Sequence, residues 1–88
     1  MSGHDDRAPA EREDMAEQAV LSILLDAHPG QRSVEEVVRE MTDRPDEFSA
    51  RDAITNAIRD LVGAGLLHRH GPFVFATRAA VRFEELRI

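Results

Sequence analysis

The sequence contains no cysteine, tryptophan, tyrosine or lysine. The lack of cysteine excludes disulfide bonds and thiolate metal sites. No apolar run approaches the roughly 18 residues that a membrane-spanning helix requires. Residues 1–14, MSGHDDRAPAERED, are acidic and have no apolar centre, which differs from the pattern of a secretory signal peptide. These absences together predict a cytoplasmic protein.

Residue types that carry catalysis are present, but they form no recognisable arrangement. No serine has a histidine and an aspartate at a spacing typical of a nucleophilic triad, and neither a carboxylate pair nor a glycine-rich phosphate loop is present. His68 and His70 could supply two metal ligands, whereas a zinc site needs three or four. A solvated histidine pair is the simpler interpretation, and we expect no enzymatic activity, no cofactor and no metal.

The 88 residues are enough for one domain with a modest core. The formal net charge is −6, and all 11 basic residues are arginine. Residues 1–48 carry 5 Arg against 13 Asp and Glu, whereas residues 49–88 carry 6 Arg against 4. The second half of the chain is therefore mildly basic, although it has no polybasic run.

Apolar periodicity and capping signals predict two helices in the acidic half. Residues 1–12 are polar, without periodicity, and are expected to be a disordered tail. A first helix is predicted over residues 12–28, ending at Pro29-Gly30. Ser33, three residues before Glu36, forms a capping box that begins a second helix. Residues 31–33 are expected to form a minimal strand that pairs with a later hairpin.

The basic half predicts a third helix, a hairpin and a short last helix. Ser49 is expected to be the N-cap of the third helix, with Phe48 as a hydrophobic staple, and Gly63 and Gly65 end that helix near residue 64. Strands are predicted over residues 66–70 and 73–76, around Gly71-Pro72. Thr77 should cap a final helix whose predicted inner face consists of Ala79, Phe83 and Leu86.

The apolar stripes of these elements predict one core. Its expected members are Val20, Ile23, Leu24, Ala27, Val34, Val37, Val38, Met41, Ile54, Ala57, Ile58, Leu61 and Leu66.

Three segments carry a resemblance to a known family: SVEEVVREM, AIRDLVGAGLL and HRHGPFVFAT. Together they resemble the winged helix-turn-helix domain of small bacterial transcriptional regulators, over about residues 14–86. The resemblance implies an α+β, mainly α fold: a three-helix bundle with a two- or three-stranded β-wing and a short C-terminal helix, over residues 13–88. The connection between helices two and three is about six residues, which is longer than a compact helix-turn-helix has.

The function that the resemblance implies is DNA binding and transcription regulation, with helix 49–64 in the major groove. Arginine can pair with guanine and asparagine with adenine. The candidate contacts on that helix are Arg51, Thr55, Asn56 and Arg59, and Arg69 of the hairpin is the candidate phosphate contact. The alternatives are an ordinary solvated helix face, and an Arg69 stem that covers apolar surface.

The partners predicted from the sequence are double-stranded DNA and a second copy of the chain. Leu21 and Leu25 lie outside the core stripe of the first helix, so they pack under the final helix or form a dimer contact. The net acidity favours a different function, a winged-helix protein-interaction module that does not bind DNA.

Overall fold

The computed structural model describes the backbone of residues 9–44 and 46–87, and side chains from Asp14 onward. Four helices and a three-stranded antiparallel sheet make an α+β fold, as expected. The elements are α1 (Pro9–Ala27), β1 (Arg32–Ser33), α2 (Val34–Met41), α3 (Phe48–Gly63), β2 (Leu67–His70), β3 (Phe73–Ala76) and α4 (Arg78–Leu86).

Helix α1 packs mainly against α3 and also contacts β3. Val20 and Leu24, one turn apart, are both completely buried, which is the arrangement that the apolar stripe predicts. The helix begins at Pro9 rather than near residue 12, so the last residues of the predicted tail are helical. Residues 1–8 of that tail lie outside the described residues.

The start of α2 confirms the predicted capping box. The backbone N–H of Glu36 donates to the Ser33 hydroxyl at 3.1 Å, and the Ser33 N–H donates to the Glu36 carboxylate at 2.8 Å. This contact holds the pKa of Glu36 below its usual range, because the backbone donor stabilises the ionised carboxylate. The predicted minimal strand is also present: Arg32 and Ser33 form β1, which pairs with β3.

The predicted N-cap of α3 is wrong. Helical hydrogen bonding begins two residues earlier, with the Arg51 N–H donating to the Glu47 carbonyl at 3.1 Å, so Glu47 is the N-cap and makes no side-chain capping bond. Ser49 lies inside the helix, and its hydroxyl donates to the Glu47 carboxylate at 3.3 Å. Phe48 is not a staple, because it is the first helical residue and 76% exposed.

Two glycines shape the exit from α3 and the hairpin that follows. Gly65 has a φ of 83°, the left-handed conformation that commonly ends helices. Gly71 has a φ of 60° and is the first residue of the two-residue loop between β2 and β3, where hairpin turns require a positive φ. Strand β3 is central in the sheet, with the order β1-β3-β2.

The core lies between α1, α2 and α3 and the inner face of the sheet. Its buried apolar residues are Val20, Leu24, Val37, Val38, Ile54, Ala57, Ile58, Leu61, Leu67, Val74, Ala76 and Ala80.

Four predicted core residues are only half-buried: Ile23, Ala27, Val34 and Met41. The core also corrects the prediction at β2 and extends it at β3 and α4. The fully buried residue at the start of β2 is Leu67 rather than Leu66, because the Leu66 N–H and C=O bond to Leu61 and Thr77 before the strand begins. Strand alternation then places Leu67 opposite Ala76, facing inward. Val74 and Ala76, which were not predicted as core residues, complete this inner face.

The predicted inner face of α4 is also wrong. Thr77 caps the helix as expected, but its hydroxyl additionally donates to the Gly65 carbonyl at 2.7 Å, and its N–H to the Leu66 carbonyl at 3.1 Å. These bonds set the rotation of the helix so that Ala80 faces the core. The three residues expected to face inward, Ala79, Phe83 and Leu86, are all exposed.

None of the helices in the described part of the chain is both long enough and apolar enough to cross a bilayer.

Candidate nucleic-acid interface

The exposed face of α3 lies opposite the buried stripe that contains Ile54 and Ile58. Asn56 and Arg59 are exposed on that face. They are three residues apart in a helix, so their side chains are neighbours. An asparagine and an arginine are thereby presented side by side, and these side chains can bond bidentately to adenine and guanine edges, respectively.

Arg51, the first candidate contact, is held by another helix. Its guanidinium forms a two-pronged ion pair with the Glu35 carboxylate of α2: Nη2 donates to Oε1, and Nη1 lies 3.3 Å from Oε2. The pair lowers the pKa of Glu35 and raises that of Arg51, chiefly through the hydrogen bonds between them. Arg51 therefore ties α3 to α2, and its positive charge is offset by Glu35.

Thr55 also makes its contacts within the protein. Its half-buried hydroxyl lies 2.9 Å from the carbonyl oxygen of Arg51 and 3.1 Å from that of Asp52. A hydroxyl has one hydrogen to donate, so Thr55 can offer a ligand an acceptor but no free donor.

Acidic side chains share the exposed face with Asn56 and Arg59. Asp52 and Asp60 are both exposed, and Asp60 Oδ1 lies 3.9 Å from Arg59 Nε. The positive charge of Arg59 is therefore partly offset, and the face has no net positive charge to attract phosphates.

The hairpin between β2 and β3 carries the fifth candidate, Arg69. Its Nε donates to the Gly71 carbonyl at 3.0 Å, which braces the side chain against the turn. The outer face of the hairpin, by strand alternation, carries His68, His70, Phe73 and Phe75. The His68 and Phe75 rings contact each other, with centroids 5.2 Å apart.

The strand register places Arg32 of β1 in the same row across the sheet as Arg69 of β2. Val74 of the central strand pairs with Arg32 of β1 on one side and with Arg69 of β2 on the other. Directly paired residues project from the same face of a sheet, so the two arginines flank Val74 in one row. This row lies on the core-facing side of the sheet, because Val74 is completely buried, so Arg32 and Arg69 stand at opposite edges of a covered face.

A groove of about 640 Å³ separates α1 from α4, at the side of the molecule where the sequence predicted a dimer contact. Half of its lining is apolar: Leu21 and Leu25 from α1, Leu66 before β2, and Ala80 and Phe83 from α4. The other half is polar or charged: Gln18, Ser22, Asp26, Glu84 and Arg87. Leu21 and Leu25 are both half-buried beside the groove, so α4 covers neither of them completely. Their role in a dimer contact stays a prediction.

No three potential metal ligands cluster among the described side chains of residues 14–44 and 46–87. His68 and His70 are both exposed.

The chain matches no protein-family model, no curated protein and no solved structure.

Proposed function

We propose that the protein is a DNA-binding transcriptional regulator of the winged-helix type, with α3 as the recognition helix and the β2–β3 hairpin as the wing. The observation that carries the proposal is the exposed pair of Asn56 and Arg59 on the face of α3 opposite the core. A helix presented in this way fits the major groove, where such side chains can read bases.

The order of elements supports the same proposal. Three helices precede a two-stranded hairpin whose inner face closes the core, and Arg69 lies near the tip of that hairpin. The wing would then approach the DNA backbone beside the groove that α3 enters. Because Arg51 is paired and acids share the α3 face, the affinity for arbitrary sequences is expected to be weak, on the order of 10⁻⁴–10⁻⁶ M.

The test is selection from a random duplex library, followed by anisotropy titrations at 50 mM salt with the selected and a scrambled duplex. Arg59→Ala and Asn56→Ala should remove the preference for the selected sequence, at about 1–3 kcal/mol for each bidentate contact. Arg44→Ala is the matched control, because this exposed arginine pairs with Glu47 and lies on neither α3 nor the α1–α4 surface. If wild type binds no duplex, or if Arg59→Ala keeps the preference, the proposal is wrong.

A second candidate function, protein interaction, is favoured by the α1–α4 side of the molecule. Ala79, Phe83 and Leu86 recur at helical spacing, and the last two are 64% and 65% exposed. This ridge adjoins the apolar groove between α1 and α4. A two-fold rotation can place the ridge of each copy in the groove of the other. We therefore propose that a second copy of the chain covers this surface.

The distribution of charge supports a second copy as the occupant. From Asp14 to Ala27, α1 carries three acidic residues and no basic one, whereas α4 up to Phe83 carries Arg78 and Arg82 and no acidic residue. A two-fold arrangement would bring the basic start of each α4 towards the acidic α1 of the partner. A homodimer would also present two recognition helices to paired half-sites.

Light scattering at tens of micromolar protein, a practical range for weak dimers, tests this assembly. Wild type should have twice the monomer mass, and Phe83→Glu should be a monomer. Phe48→Glu is the control, because Phe48 is even more exposed, at 76% against 64% for Phe83, but lies on α3. A monomeric wild type would refute the dimer, whereas a dimeric Phe83→Glu variant or a monomeric Phe48→Glu variant would refute this interface.

A further inference from the structure

The outer face of the hairpin carries four rings, two from each strand. His68 and His70 of β2 and Phe73 and Phe75 of β3 make up this ring face, on the side of the sheet away from the core. The strand register pairs them across the hairpin, with His68 opposite Phe75 and His70 opposite Phe73. Each of the two rows therefore consists of one imidazole and one phenyl ring.

The rings of this face remain accessible to solvent. Phe73 is 38% exposed, although it is apolar, and both histidines are exposed. Phe75 is half-buried, and the centroid of its ring lies 5.2 Å from that of His68, at an interplanar angle of 49°. On the other side of Phe73, β1 contributes Ser33, whose side chain is too short to cover a phenyl ring. The ring face is thus a surface on which a flat aromatic ligand can stack.

The chemistry of the four rings favours nucleobases over an apolar protein surface. An imidazole nitrogen that is buried without a hydrogen-bond partner costs free energy, so a dry protein surface over His68 and His70 would be unfavourable. A base that stacks on the flat side of an imidazole leaves the nitrogens at the ring edge in contact with water. Phenylalanine and histidine are both side chains on which unstacked bases lie.

These bases must come from a single strand, because neighbouring bases cover the flat faces of each base in a duplex. Alternate residues of a β-strand are about 7 Å apart, whereas stacked bases of one DNA strand are about 3.4 Å apart. Phe73 and Phe75 therefore offer positions for two bases that are not stacked on each other. A sheet with aromatic side chains on its open face can stack two or three bases in this way.

The charge around the ring face is compatible with an anionic strand. Residues 61–83 contain three arginines and no acidic residue, in a chain with 17 Asp and Glu. The carboxylate of Glu36 lies near the β1 edge of the sheet, but it accepts the Ser33 N–H at 2.8 Å and is held at the start of α2. A nucleic-acid strand is therefore repelled less at the ring face than over the acidic first half of the chain.

We propose that the ring face binds the unstacked bases of single-stranded DNA, as a site separate from α3. Phe73 is its main stacking residue, because it is the more exposed phenylalanine and has the His70 imidazole beside it in the same row. The choice of DNA rather than RNA rests on the proposed DNA-binding function, whereas the stacking site itself does not.

The lack of tryptophan and tyrosine in the chain makes this stacking measurable by fluorescence. The Phe73→Trp variant should be quenched saturably at low salt by a thymidine oligonucleotide of about 12 nucleotides, a length that single-strand-binding folds can occupy. The same oligonucleotide annealed to its complement should quench it much less, because its bases are already stacked. Phe83→Trp is the matched control: Phe83 is 64% exposed on α4, and the fluorescence of this variant should not change.

Anisotropy titrations with the same oligonucleotide, fluorescently labelled, measure how much the rings contribute to binding. Phe73→Leu keeps an apolar side chain but removes the ring, so it should weaken binding about 5- to 150-fold, as expected for one lost base–aromatic stack. His70→Leu should also weaken binding, whereas Arg59→Ala on α3 should leave it unchanged. Circular dichroism of Phe73→Leu should match that of wild type, because this side chain lies outside the core.

The outcomes distinguish the ring face from the function proposed above. If the single strand quenches Phe73→Trp but wild type binds no duplex, the ring face stands and the duplex-reading function fails. If wild type binds duplex DNA but Phe73→Leu binds the single strand as tightly as wild type, the function stands and the ring face is wrong. Equal quenching of Phe73→Trp by the duplex would also refute the ring face, and tighter binding of a uridine oligoribonucleotide would refute DNA as its ligand.

Discussion

Helices α3 and α4 have similar amphipathic patterns but are held in the fold by opposite means. Helix α3 buries a complete apolar stripe against α1 and the hairpin, yet the side chain of its N-cap makes no capping bond to the helix backbone. Helix α4 buries only Ala80, yet the Thr77 side chain both accepts the Ala80 N–H and donates to Gly65. Packing of its inner face stabilises α3, whereas the hydrogen bonds of Thr77 at its first turn stabilise α4.

This difference indicates which surfaces are free to bind a partner. Because α3 is anchored by its inner face, its exposed side can vary without cost to the fold. Because α4 is anchored by its first turn, its apolar ridge of Ala79, Phe83 and Leu86 is not needed for the monomer. The exposed ridge therefore favours a role in assembly, since single-chain folding does not use it.

The strongest test of the comparison removes one apolar side chain from each helix. Ile58 of α3 is 1% exposed, whereas Phe83 of α4 is 64% exposed. Ile58→Ala should lower the free energy of unfolding by about 2–5 kcal/mol, because it leaves a cavity. Phe83→Ala should change it by no more than about 0.5 kcal/mol. Urea unfolding at protein concentrations low enough to keep the chain monomeric measures both, and similar losses would contradict the comparison.

A smaller effect is expected when the start of each helix is altered. Thr77→Ala removes the α4 cap and the bond to Gly65, so it should cost about 1 kcal/mol, within the 0.5–2 range for such residues. Ser49→Ala should be nearly neutral, because Ser49 is inside α3 and is not its cap. Thermal unfolding of both variants provides the measurement. A larger loss in Ser49→Ala would show that Ser49 caps α3 after all.

The smallest effect concerns the ion pair that joins the first turn of α3 to α2. The folded state lowers the pKa of Glu35 below its unfolded value, chiefly through the Arg51 hydrogen bond. The pair therefore stabilises the fold above the unfolded pKa of a glutamate, about 4.3, and this stability is lost as the pH falls through the folded pKa. Between about pH 5 and 3, the free energy of unfolding should fall more steeply in wild type than in Glu35→Gln. Equal pH dependence, measured by urea titrations across this range, would show that the pair does not contribute.

Sequence patterns predicted the elements well where the signals are local. The capping box at Ser33, the cap at Thr77 and the hairpin at Gly71-Pro72 all depend on residues within three or four positions of each other. The same patterns failed at the start of α3 and on the inner face of α4. At both places, hydrogen bonds by the residues before the helix decide where it begins or which way it is rotated.

For the candidate site, the sequence identified Asn56 and Arg59 as exposed polar side chains, because helical periodicity places them away from the core. It also identified Arg69, which is exposed because it lies near the tip of the hairpin. It did not reveal the ion pair between Arg51 and Glu35, since these residues are 16 positions apart on different helices. It also did not place Arg32 and Arg69 in one row across the sheet, because that arrangement depends on the register of a two-residue strand.

By itself, the sequence determined the order of the elements, most of the core and the excess of acid in the first half of the chain. These properties follow from spacing, capping and composition, which act over short distances along the chain. Only the tertiary structure decided that α4 exposes Phe83, that Arg51 is held by Glu35, and that Arg32 and Arg69 share one row. Each of these depends on the packing of segments that are distant in sequence, and the register and rotation of such segments are set by contacts that no local pattern records.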